Sequence, residues 1–290
     1  MGRISDYVVG RLNGLFWRVA ANPVLRALEI ETYIHRRLEF IRTQQPENPV
    51  LCGFKVFSQV DEDGIIEAIA EKLPMAARNK AFIEIGCGKG IENNTAYLIL
   101  KGYKGVWVDG SSKNIQYILS ALEPAANGKQ LLIDESMVST SNIKDLLSKY
   151  TKHIGTNEPE FFSLDIDGND AFVLTEALKF IRPAVICVEY NGKFPASLNL
   201  SIRHNDQHSW DADDYHGATL AHMAEVLQEY RLVSCNVAGT NAFFVRSDCA
   251  ENFATYALSE LYQPARHELV KRSCGHPPSL KWVRDALLIR

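Results

Sequence analysis

The chain has 290 residues, of which 46% are hydrophobic, and 31 Lys and Arg stand against 35 Asp and Glu, a net charge of −4. That share of apolar side chains can bury a core and excludes a disordered chain, and the length suits one large α/β domain with additions or two small ones. The near-neutral balance argues against a nucleic-acid binder that works through bulk positive charge.

The start, Met1 to Asp6, shows no signal-peptide core, and Asp6 sits where an N-myristoylation motif needs Ser or Thr. Residues 1–57 read as a helical arm. Val8, Leu12, Leu15, Phe16 and Val19 recur at helical spacing, and Leu28, Ile34, Leu38 and Ile41 predict a second amphipathic helix. Residues 1–45 hold seven Lys and Arg and four Asp and Glu, a local net of +3. A basic amphipathic helix can rest on a membrane surface. Packing on the main domain or on another subunit is the preferred expectation, which leaves peripheral membrane contact and a homo-oligomer through the arm both open.

Residues 58–249 read as the main domain. Asp61-Glu62-Asp63 suits a helix N-terminus and leads into Glu67–Leu73. Apolar runs at Ala81–Ile85, Gly105–Val108, Gln130–Ile133, Phe161–Ile166 and Ala184–Val188 alternate with helical stretches at Asn93–Leu100, Ile115–Leu122, Ile143–Tyr150 and Ala171–Ile181. Short buried strands alternating with helices predict a parallel sheet covered on both faces. A polar loop over 190–216 precedes a helix, Ala218–Tyr230, and two strands, Arg231–Cys235 and Ala242–Val245, whose short connection predicts a hairpin. The uncharged run Leu232–Val245, 14 residues with two Asn, is too short and polar to span a bilayer. Residues 250–290 read as a helical extension broken by Pro264 and Pro277-Pro278. The six cysteines are scattered without a CxxC pair, as expected of reduced, mostly buried thiols in a cytoplasmic protein.

The strongest local signal is Phe82-Ile83-Glu84-Ile85-Gly86-Cys87-Gly88-Lys89-Gly90, a buried strand running into a loop with Gly at every second position. Such glycines let the backbone turn tightly and approach a ligand. The loop lacks the Lys-Ser/Thr ending of a P-loop, and Glu84 is poorly placed to meet a pyrophosphate, although it can order a loop or receive an ammonium group. The next strand ends in Asp109, 19 residues beyond Gly90, where an acid typically takes ribose hydroxyls. A ribose and an ammonium without pyrophosphate describe S-adenosylmethionine. In these residues the chain resembles the class I methyltransferases, whose first motif is hydrophobic-D/E-x-G-x-G-x-G. The resemblance implies a Rossmann-like α/β sheet, mostly parallel with an antiparallel hairpin at the end. It also implies a cofactor site at Glu84, Gly86, Gly88, Gly90, Asp109 and Asp165.

A second acidic cluster lies at the ends of the fourth and fifth strands. Period-two alternation along Ser163-Leu164-Asp165-Ile166-Asp167-Gly168 puts Asp165 and Asp167 on one face, and Glu189 and Asn191 share a parity in the same way. Strand ends line the crevice of an open α/β sheet, so these oxygens converge there and call for a positive partner. Oxygen ligands favour Mg²⁺, Mn²⁺ or Ca²⁺. The alternative is a capped helix and a cofactor-contacting acid without metal. The pattern resembles the metal-dependent O-methyltransferases of the catechol and sugar types, which implies Asp165 or Asp167, with Glu189 and Asn191, as ligands of Mg²⁺ or, failing that, Mn²⁺. The catechol enzymes carry a lysine base three positions after the first Asp, where this chain has Gly168, so a different base is needed. Ser58-Gln59-x-x-Glu62-Asp63-Gly64-Ile65, with Ser163–Asp170 and Glu189–Gly192, closely resembles the FkbM-like methyltransferases over residues 53–247. That resemblance implies a hydroxyl acceptor on a sugar, in a glycan, glycolipid or natural product.

The 190–216 connection is long enough to be functional. His204, His208 and His216 are its candidate bases, with Lys193 behind them, because an alcohol needs a base, a Lewis acid or both before it attacks. Trp210 and Tyr215 can stack on a sugar or aromatic face, and His222 reads as packing. Two other readings are a metal-independent methyltransferase of a phenol or other small molecule, and a pseudo-enzyme that binds a partner through its arm. No basic stripe or base-flipping motif points to nucleic acid.

Overall fold

The computed structural model describes residues 23–123, 125, 129–211, 213–270 and 280–289; the predicted helix carrying Val8 to Val19 lies outside them. Seven strands form one sheet: β1 (Ala81–Ile85), β2 (Lys104–Asp109), β3 (Leu131–Glu135), β4 (Phe161–Leu164), β5 (Val185–Glu189), β6 (Tyr230–Cys235) and β7 (Asn241–Arg246). Their order is β3-β2-β1-β4-β5-β7-β6. β1 to β5 pair in parallel, and β7 runs antiparallel to both β5 and β6. This is the expected Rossmann-like sheet, mostly parallel with an antiparallel hairpin at its end. The chain builds outward from β1 to β3 and then returns to lay β4 against the other side of β1. That reversal opens a crevice at the carboxyl ends of β1 and β4.

Strand alternation divides the core in two. Ile83, Ile85, Val106, Val108, Leu164, Ile186 and Val188 share one buried cluster with side chains of α5 (Ile143–Ile154), α6 (Asp170–Ala177) and α7 (Leu220–Val226). Phe82, Trp107, Phe161, Val185 and Phe243 face the other cluster, with α2 (Glu62–Lys72), α3 (Ala96–Leu100) and α4 (Ser112–Leu122). Strands buried on both faces are what a sheet sandwiched between helices requires. Ser111 caps α4 by accepting from Asn114 N–H, Thr219 caps α7 by accepting from His222 N–H, and Gly155 ends α5 in a left-handed conformation.

The predicted second arm helix is present as α1 (Pro23–Gln44). Ile41 is buried, Ile34 and Leu38 pack on the same core, and Leu28 stays exposed. Arg37 Nε donates to Gln263 Oε1 at 2.8 Å and Gln45 Nε2 to Glu260 O at 2.7 Å, which ties the arm to the chain around α8 (Leu258–Leu261). Farther on, α9 (His267–Val270) follows Pro264, and α10 (Lys281–Ile289) packs on α3 and α4. Four of the five described cysteines are buried, and Cys52 is exposed. Among the described residues, no helix is long and apolar enough to cross a membrane.

Candidate functional site

A cleft of about 1370 Å³ opens where β1, β2, β4 and β5 end, lined by Gly86, Gly88, Asp109, Asp165, Asp167, Glu189 and Asn191 among others. Gly86 and Cys87 N–H both donate to Val108 O, at 2.8 and 3.1 Å, which folds the glycine loop against β2. Gly86 has φ +87°, and a Cβ there would lie 1.6 Å from Asp165 O. Gly88 has φ +55°, and a Cβ there would meet nothing within 4 Å. The first glycine is therefore needed for backbone packing, and the second leaves open space at the cleft. Asp109 fixes this loop: Oδ2 accepts from Gly88 N–H at 2.8 Å, and Oδ1 accepts from Ser111 N–H at 2.8 Å and Asn114 Nδ2 at 3.0 Å. A carboxylate has about four acceptor sites, so it keeps capacity for a hydroxyl in the cleft. Gly90 lies away from the cleft, with its bare Cα against the Trp107 ring.

Glu84 is a correction. It does not line the cleft but points to the opposite face of β1, where it is 2% exposed. Its carboxylate accepts from Asn93 Nδ2 at 2.7 Å, Asn94 N–H at 2.8 Å, and the N–H and hydroxyl of Thr95. Thr95 Oγ1 in turn accepts from Trp107 Nε1 at 2.8 Å. This network occupies residues 93–95 and explains why α3 starts at Ala96 instead of Asn93. Burial raises the Glu84 carboxyl from 4.5 to about 7, against the opposing effect of these donors. Between those two values the folded protein holds a proton that the unfolded chain has released, so stability falls as pH rises through the window and levels off above it. The shift corresponds to about 3 kcal/mol. Glu84→Gln flattens this slope relative to the wild type in denaturant titrations between pH 4.5 and 7; an unchanged slope contradicts the assignment.

Asp165, Asp167 and Glu189 each present an oxygen within 4.8 Å of the others. They meet by a different route from the expected alternation. β4 ends at Leu164, and Asp167 lies beyond it with φ +54°, a left-handed conformation uncommon for a residue with a side chain. Asp170 imposes this turn. Its buried carboxylate accepts from Ile166 N–H and Gly168 N–H, at 2.9 Å each. Burial and the charges of Glu189, Asp170 and Asp167 push Asp165 well above the usual carboxylate range. Burial, then Asp170 and Asp167, does the same to Glu189. Burial also raises Asp167, and His216 partly offsets this. Glu189 Oε2 is buried without a hydrogen-bond partner. Three crowded carboxylates with an orphaned oxygen fit a divalent cation. Asn191 stands at the same edge, but its amide pins the following loop: Nδ2 donates to Asp214 O at 3.0 Å and His216 O at 3.2 Å, and Oδ1 accepts from Lys193 N–H.

The loop separates the three histidines. His208 packs its ring over Gly168, and His216 Nδ1 lies 3.6 Å from Glu189 Oε2; His208 Nε2 and His216 Nδ1 are both buried without a partner. His204 lies outside the cleft lining, bonded to Thr140 Oγ1 and Asp206 Oδ1 at 3.2 Å and edge-on to Phe172. Trp210 lines the cleft with its ring 5.8 Å from that of His216. Tyr215 does not line it, and its hydroxyl accepts from Arg203 N–H. Lys193 is paired with Asp214. His222 Nδ1 lies 2.8 Å from Asn199 Oδ1, away from the cleft.

The acids that open α2, Glu62 and Asp63, are buried too. Asp63 Oδ2 accepts the N–H groups of residues 56–58, and Glu62 accepts from Val60 and Asp61 N–H and from Asn236 and Asn241 side chains. They clamp residues 56–61 to the β6–β7 turn, which places Gln59 and Thr240 together in the cleft wall. Arg266, which the sequence reading passed over, also lines the cleft. Its guanidinium lies 5.5 Å over the Tyr33 ring.

No protein-family model matches the chain, and no curated protein matches it. Among solved structures, the chain is similar to PKMT2 from Rickettsia typhi in complex with AdoHcy at 16% identity, covering 43% of this chain and 24% of that one, TM-score 0.31. It is similar to the CurJ carbon methyltransferase at 12% identity, covering 63% and 52%, TM-score 0.39. It is also similar to an O-methyltransferase from Bacillus cereus in complex with SAH at 16% identity, covering 62% and 90%, TM-score 0.36. The chain thus spans about a quarter of the first of these and about half of the second.

Proposed function

We propose that the protein is an S-adenosylmethionine-dependent O-methyltransferase that acts on a hydroxyl of a sugar, with a divalent cation at Asp165, Asp167 and Glu189. One observation carries this reading. The strand order brings the glycine loop with Asp109 and the three-carboxylate cluster into one cleft, side by side. Gly86 and Gly88 let backbone approach the cofactor, and Asp109 offers its remaining acceptor site to a ribose hydroxyl. When bound, the cofactor supplies an electrophilic methyl group, and the cation offsets charge on the acceptor oxygen. Unpartnered ring nitrogens in the cleft support His208 and His216 as the groups that take the hydroxyl proton. His204, outside the cleft lining, is not among them. Trp210 offers an exposed ring face to the sugar. Much of the rate comes from holding the two reactants in line.

The test is methyl transfer from labelled S-adenosylmethionine to a panel of sugars, nucleotide-sugars and phenols. The expected result is transfer to a sugar hydroxyl that EDTA abolishes and Mg²⁺ or Mn²⁺ restores. Transfer that persists undiminished in EDTA, or that is confined to phenols, contradicts it.

A further inference from the structure

We propose that the acceptor carries an oxyanion, a phosphate or a carboxylate, and that Arg266 binds it at the end of the cleft remote from the cofactor. Which end is which rests on the methyltransferase reading above. Arg266 lines the cleft yet forms no ion pair among the described residues. Its Nε donates to Tyr33 Oη at 3.2 Å and its Nη1 to Ala265 O at 3.3 Å. Of the five guanidinium N–H donors, three have no hydrogen-bond partner among the described residues. The group is also held in place: it stacks on Tyr33 of α1, Ala265 N–H donates to Gly192 O, and Arg266 N–H donates to Ala238 O. A guanidinium fixed in this way loses little freedom on binding and is suited to a forked contact with an oxyanion.

The strand order says whose oxyanion it is. Asp109 ends β2, Asp165 and Asp167 follow β4, Glu189 ends β5, and Arg266 is stitched to the end of β5 and to the β6–β7 turn. From β2 to β7 the sheet crosses four strand spacings, roughly 19 Å. The carboxylate cluster lies between. A cofactor with its ribose at Asp109 reaches the cluster from one side, so the cation beyond it serves the other reactant. The cluster with its cation takes the hydroxyl oxygen and Arg266 attracts the anion, so together they orient an acceptor with its hydroxyl inward and its charge outward.

The test is calorimetry with inorganic phosphate and with acetate, in EDTA and with saturating S-adenosylhomocysteine, on the wild type, Arg266→Gln and Arg266→Lys. The expected result is that the wild type binds at least one anion, Arg266→Gln binds it about tenfold more weakly, and Arg266→Lys falls between. Preference for phosphate or for acetate identifies the group. Affinity for S-adenosylhomocysteine, measured separately, is the same in all three proteins. Three results overturn the proposal: no anion binding by the wild type, equal binding by Arg266→Gln, or a tenfold loss of S-adenosylhomocysteine affinity in that variant, which would assign Arg266 to the cofactor's own carboxylate. A wild type that binds phosphate through Arg266 but never binds S-adenosylhomocysteine sinks the methyltransferase reading and, with it, the assignment of the anion to an acceptor.

Discussion

Gly86→Ala should lower the melting temperature by about 10 °C or prevent soluble expression. The new methyl group would sit 1.6 Å from Asp165 O, backbone against backbone, at φ +87°. Left-handed strain alone costs roughly 1–2 kcal/mol. Relieving the overlap must part β1 from the turn after β4, so the total reaches ~4 kcal/mol or more. Gly88→Ala makes the informative contrast. Its methyl group meets nothing within 4 Å, so the fold should lose only about 1 kcal/mol. The space it takes belongs to the cleft, so affinity for S-adenosylhomocysteine should fall with the fold intact. Equal melting temperatures for Gly86→Ala and the wild type contradict the packing described here.

Glu189→Gln should stabilise the metal-free protein and weaken its hold on a cation. Burial and the neighbouring charges push Asp165 and Glu189 well above the usual carboxylate range. The folded state thus holds protons that the unfolded state has released, and stability drains away as pH rises from the ordinary carboxylate range through the raised one. Removing one charge relieves the other two. In EDTA at neutral pH the melting temperature should rise by about 2–4 °C, and Mn²⁺ affinity should fall about tenfold or more. A lower melting temperature together with unchanged Mn²⁺ binding contradicts a cation site at this cluster.

The sheet was legible because its strands are short apolar runs with clear breaks. The five predicted parallel strands and the hairpin all formed within two residues of expectation. Asp109 and Glu189 are the last residues of β2 and β5 and line the cleft from the strand ends themselves, whereas Asp165 and Asp167 lie beyond Leu164, where β4 stops. What stayed hidden depends on contacts distant in sequence. Glu84 is the exception, because its signal is local: it alternates with Ile83 and Ile85, both in the opposite core cluster, and that parity turns it away from them. Asp170 sits just before the predicted helix Ala171–Ile181, and its two backbone hydrogen bonds make the turn that carries Asp167 into the cluster. His204 and His208 are four residues apart in one loop, and between them Asn205 bonds to Asn169, anchoring that loop beside α6. Nothing local encodes that bond. Arg266 reads as an ordinary tail residue until Tyr33, 233 positions earlier, is found beneath it.

A cleft that takes S-adenosylmethionine should also bind S-adenosylhomocysteine, and calorimetric titration of the wild type and Asp109→Ala reads this out. The expected result is one site per chain on the wild type and at least a tenfold weaker one on Asp109→Ala, because the substitution removes the ribose acceptor and frees Gly88 N–H together. No binding by the wild type, or equal binding by the two proteins, would contradict it.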